Sequence, residues 1–75
     1  MTESDANTIV AQYGYKARGV TLGYFIASKN SRGLYGDDVA LVTTKSSIVP
    51  YADDYGAQDH LAASALAGAI AAGGR

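Results

Sequence analysis

His60 follows Asp59 at the head of an alanine-rich segment, and it is the sequence's one histidine. An imidazole there could serve as a general base, a metal ligand or an axial ligand to a tetrapyrrole, since the small residues after it would admit a flat ring. A histidine at a helix terminus beside an aspartate is more simply a part-exposed polar side chain. Two acidic pairs, Asp37-Asp38 and Asp53-Asp54, could jointly bind a hard cation such as calcium if their loops met. The spaced D-x-D-x-D-G pattern with its closing glutamate is absent, and turn formation and helix capping explain both pairs more directly. Lys16, Arg18, Lys29 and Arg32 gather in the first half, interleaved with Tyr13, Tyr15, Tyr24 and Phe25. That mixture suits a small nucleic-acid-binding sheet, but four basic residues fall short of the basic stripe such a protein carries.

Most enzyme chemistries lack their residues. The chain has no cysteine, which removes thiol nucleophiles, thiolate zinc sites and disulfides, and one histidine cannot close a structural zinc site. No serine sits in a nucleophile elbow. Gly19-Val20-Thr21-Leu22-Gly23 lacks the Lys-Ser/Thr ending of a phosphate loop, and no G-x-G-x-x-G occurs. Tyr35-Gly36-Asp37-Asp38 matches the tetrapeptide of the catalytic hairpin of viral RNA-dependent polymerases, whose aspartates bind magnesium. Those enzymes need a far longer chain with carboxylates on other elements, so the match is set aside. Gly73-Gly74-Arg75 resembles the tails of ubiquitin-like modifiers only in those letters, because a helix precedes it here. Tyr13-Gly14, Tyr35-Gly36 and Tyr55-Gly56 have unlike flanks and form no repeat. The expectation is therefore no enzyme, with no catalytic residues, metal or cofactor.

The elements expected along the chain make a small α+β fold. Residues 1–8 are polar and without period, and read as a flexible arm before a single small domain over 9–75. From Ile9 to Tyr15 the alternation suggests a short strand, and from Val20 to Ser28 a clearer one with apolar groups on both faces. A loop over 29–38 leads to a strand over Val39 to Thr44. Ile48-Val49 begins another short strand, which Pro50 confines to an edge. The expected β element is thus antiparallel with two or three strands. After a loop over Tyr51 to Gly56, a helix spans about 57–72, capped by Asp53 or Asp54 and stopped by Gly73-Gly74.

From Leu61 to Ala72 this helix has Ser64 as its one polar side chain and no charge. A helix apolar all round is expected to be buried all round. Its twelve residues cover about 18 Å against a hydrocarbon core of about 30 Å, too short for a membrane span. Ser64, Gly68 and Ala72 form a small-residue strip for close approach, with Leu66 and Ile70 as an apolar edge elsewhere. Leu61, Ser64, Ala65, Leu66, Gly68, Ile70 and Ala72, together with Tyr24 and Phe25, are the expected interaction residues.

Composition adds the reason for expecting partners. Of 75 residues, 36 are hydrophobic, but 14 of these are alanine and only 15 are Leu, Ile, Val or Phe. So thin a core in so short a chain predicts order that depends on an assembly. Net charge is −1, which supplies no long-range field toward nucleic acid or anionic membrane. The start carries no secretory signal pattern, so synthesis in the cytosol and a final place in a virion or intracellular complex are expected. The reading is a non-enzymatic structural subunit of a homo-oligomer or larger complex, such as a viral coat, decoration or tail component. An accessory subunit of a membrane-bound, for example photosynthetic, complex and a small nucleic-acid-binding module are the alternatives.

Overall fold

A computed structural model of the chain describes residues 1–29 and 37–73, and orders them as helix, four strands, helix. Arg32, the Tyr35-Gly36 pair, most of the 29–38 loop and the stop at Gly74 lie outside the described residues.

The N-terminal element corrects the sequence reading. Residues 1–8 are not a flexible arm and Ile9 starts no strand, because α1 runs Glu3–Ala11. Thr2 Oγ1 accepts from the Asp5 amide at 3.2 Å, and Asp5 Oδ2 accepts from the Thr2 amide at 3.1 Å, closing a capping box. Only Ala6 and Val10, one turn apart, are buried on this helix. A nine-residue helix with so narrow a stripe is marginal alone, so its order comes from the sheet beside it. Gly14, at φ +88°, makes the turn into the first strand, and its amide donates to the Ala11 carbonyl at 3.1 Å.

Strands β1 (Tyr15–Val20), β2 (Gly23–Ser28), β3 (Asp38–Thr43) and β4 (Ile48–Pro50) form one antiparallel sheet in sequential order. The single strand expected over Val20 to Ser28 is divided. Val20 pairs with Gly23 across a two-residue turn of Thr21 and Leu22, and this extra hairpin yields four strands rather than two or three. β4 is the short edge strand that Pro50 requires. Its turn from β3 places Ser46 at φ +68°, and the Ser46 hydroxyl donates to the Ala67 carbonyl at 2.8 Å, tying that turn to the last helix.

Register sorts the sheet into two faces. Tyr15, Ala17, Ile26, Ala40 and Val42 belong to the core under the helices, with Tyr24 and Ile48 packed against it. Lys16, Arg18, Phe25 and Leu41 share the opposite face, and an irregularity between Ile26 and Ala27 sets Asp38 there as well, opposite Ala27.

The final helix, α2, runs Ala57–Gly73. Asp59, not Asp53 or Asp54, serves its start, accepting from the Gly56 amide through Oδ2 at 3.0 Å. The Tyr55 amide donates back to the Ala52 carbonyl at 3.2 Å, so the two earlier aspartates sit in a turn. Ala62, Ala63, Leu66, Ala67 and Ile70 pack into the chain's own core. Burial all round does not occur, since Leu61, Ser64, Gly68 and Ala72 are exposed.

Candidate functional site

The start of α2 gathers the titratable side chains. β1 opens beside the helix's first turn, so the Tyr15 hydroxyl donates to Asp59 Oδ1 while Asp59 Oδ2 holds the Gly56 amide. Gln58 Nε2 reaches the Tyr13 carbonyl at 3.3 Å. Burial, then the hydrogen bond to Asp59 and its charge, push Tyr15 from 10.0 up to about 12. Burial and the same charge raise Tyr55. Tyr55 Oη lies 2.9 Å from His60 Nδ1, with the rings edge to face at 5.9 Å. Asp59 thus ties β1 to the helix through Oδ1 and holds the start of its own helix through Oδ2. Among the described residues no three His, Asp or Glu side chains gather to hold a metal.

This cluster fixes an alkaline response. A phenol whose folded pKa is raised adds stability that is whole below the unfolded value of 10.0 and is lost as pH rises through about 12. Denaturant unfolding across that window should show falling stability in the wild type and a shallower fall in Tyr15→Phe. Equal slopes in the two proteins would show that Tyr15 does not titrate in this way.

On the sheet face opposite the helices, Arg18 Nη2 lies 2.7 Å from Asp38 Oδ2, with the aspartate side chain 2% exposed and the arginine 44%. The guanidinium also sits 5.2 Å from the Phe25 ring centroid, and Phe25 meets Tyr51 edge to face at 5.3 Å. Lys16, Arg18, Phe25, Asp38 and Glu3 line a cavity of about 250 Å³ beside them. Its lining mixes both signs. Asp38 needs Arg18, because a buried carboxylate left without its cation is strongly destabilising. The expected basic and aromatic cluster is therefore split: Arg18 is paired, Phe25 is buried, and Tyr15 and Tyr24 lie on the helix side. Asp37-Asp38 and Asp53-Asp54 do not join in a shared cation site.

The expected interaction residues on α2 also divide. Leu66 and Ile70 are buried in the chain's own core, whereas Leu61 is 52% exposed. Ser64, Gly68 and Ala72 lie on the exposed side and Ala65 is half-buried. A Cβ added at Gly68 would meet no atom of another element within 4 Å. Tyr24 is half-buried, its hydroxyl donating to the Met1 carbonyl at 2.9 Å. Sequence reasoning missed Glu3 and Asn7 of α1, whose side chains bond the outer edge of β1. The Thr2-x-x-Asp5 capping pattern was the one local signal for that helix. Comparison with protein-family models, with curated proteins and with solved structures finds no match.

Proposed function

We propose that the chain is a non-enzymatic structural subunit that associates with further copies of itself through the outward face of α2. One observation carries the reading: from Leu61 to Ala72 the helix has no charged side chain, yet one side of it, including Leu61 at 52% exposure, faces water. A helix that served only its own core would present polar residues on that side. Ser64, Gly68 and Ala72 keep the surface low, so a second helix can approach closely. A repetitive particle such as a coat, decoration or tail layer is the setting such a surface suits. Among the described residues no helix is long and apolar enough to cross a membrane, which leaves this face to protein contact in the proposal.

Light scattering after size exclusion tests it. The wild type should elute above the one-chain mass in a concentration-dependent way, and Gly68→Leu should return it to one chain with an unchanged circular dichroism spectrum. Gly68 lies on the exposed side of α2 with open space around an added Cβ, and the unchanged spectrum checks that the leucine leaves the fold intact. A wild type that melts cooperatively as a monomer at every concentration would overturn the reading.

A further inference from the structure

β1 is an outer strand, and an outer strand presents amides and carbonyls that a further strand could take. Here side chains of α1 take them. The Asn7 carboxamide lies along Ala17 as a peptide group of a neighbouring strand would, with Nδ2 donating to the Ala17 carbonyl at 2.7 Å and Oδ1 accepting from the Ala17 amide at 2.9 Å. Gly19, the next residue directed outward, gives its amide to Glu3 Oε2 at 2.6 Å. The spacing explains the fit. Four residues of helix rise about 6 Å and two residues of strand about 6.6 Å, so Glu3 and Asn7 stay in step with Gly19 and Ala17. The other edge is closed differently, by a three-residue strand ending in Pro50.

We propose that α1 is an edge guard: Asn7 and Glu3 fill the hydrogen-bonding positions through which β1 would otherwise pair with β1 of a second copy. A second copy is the fitting occupant because β1, turned antiparallel on itself about Ala17, offers matching amides and carbonyls. Ala17 and Gly19 add little bulk at that contact. The guard thereby keeps association off the β1 edge, whichever surface the assembled protein uses.

The test is Glu3→Ala with Asn7→Ala, made in Gly68→Leu so that contact through α2 plays no part. Light scattering should show one chain with the guard intact and a concentration-dependent dimer without it. In the same samples the Ala17 amide should exchange slowly with the guard, quickly in dilute guardless monomer, and slowly again in the dimer. A folded guardless chain that stays monomeric, or a dimer whose Ala17 amide exchanges freely, would overturn the proposal. Should the double substitution prevent folding, Asn7→Ala alone keeps the capping box and the Glu3 contact and is read by the same outcomes. This test stands whether or not α2 is the contact surface, since the Gly68→Leu background is common to all samples.

Discussion

Gly23→Ala should cost at least about 3 kcal/mol of folding stability, enough to unfold a chain of marginal stability. A chain of 75 residues has roughly 4–11 kcal/mol to lose, at about 0.05–0.15 kcal/mol per residue. Gly23 opens β2, paired with Val20 on one side and Thr43 on the other. A Cβ there would lie 2.2 Å from the Val42 carbonyl oxygen and 2.7 Å from the Thr43 Cα, and its φ of +154° is one that side chains rarely accept. Both obstacles are backbone, so relief requires β3 to move away from β2, opening the central pairing of the sheet. No flexible side chain can swing aside to absorb the methyl group. Gly68→Ala is the comparison, since nothing lies within 4 Å of its added Cβ. Helix propensity there favours alanine by about 1 kcal/mol. Urea unfolding followed by circular dichroism measures both. A Gly23→Ala protein within about 1 kcal/mol of wild type would show that the strands are more loosely joined than their register implies.

The same glycine shows why one hairpin was illegible. A two-residue turn usually advertises itself with Asn-Gly or a leading Gly, but Thr21-Leu22 carries no such residue. Val20, Leu22, Tyr24 and Ile26 therefore read as one alternating face. The turn reverses the parity: Ala17 on β1 and Ile26 on β2 share the core face, while Val20 lies opposite Gly23 on the other. The unusual backbone is displaced by one residue, into Gly23.

α1 was hidden for a different reason. Its capping box is visible as Thr2-x-x-Asp5, but two small apolar contacts do not stand out as a helical period, and what holds it are bonds from Glu3 and Asn7 to a strand ten to sixteen residues away. Local sequence cannot express those. α2 was legible because alanine propensity, an early aspartate and glycine at the end agree locally. Which of its sides turns inward depended on where the sheet lies, and that gave Leu66 and Ile70 to the core rather than to a partner. At the start of α2, His60 and Asp59 were noticed as neighbours. Their actual partners, Tyr55 and Tyr15, come from a loop and a strand that sequence could not bring to them.

Leu66→Ala should cost about 3–5 kcal/mol of folding stability, the range for a fully enclosed leucine whose cavity cannot collapse. Leu66 is 0% exposed and belongs to a core rich in alanine, with Ala6, Ala17, Ala40, Ala62, Ala63 and Ala67 among its members. Against roughly 4–11 kcal/mol of total stability, such a loss unfolds a chain at the low end of that range and lowers the melt of one at the high end. Leu61→Ala, five residues earlier but 52% exposed, should change stability by no more than about 0.5 kcal/mol. The contrast separates two roles within one uncharged helix. If Leu66 acted through a partner, its truncation would weaken association and leave the melting of the dilute chain untouched. The burial of Leu66 predicts the reverse: Leu66→Ala lowers the melting temperature of the dilute chain, while Leu61→Ala leaves that melt in place and, under the proposed assembly, reduces the mass measured by light scattering. Leu61→Ala lowering the melt of the dilute monomer as much as Leu66→Ala would mean that α2 is turned differently about its axis, with Leu61 on the inner side. That outcome would also remove the exposed apolar surface on which the proposed assembly rests.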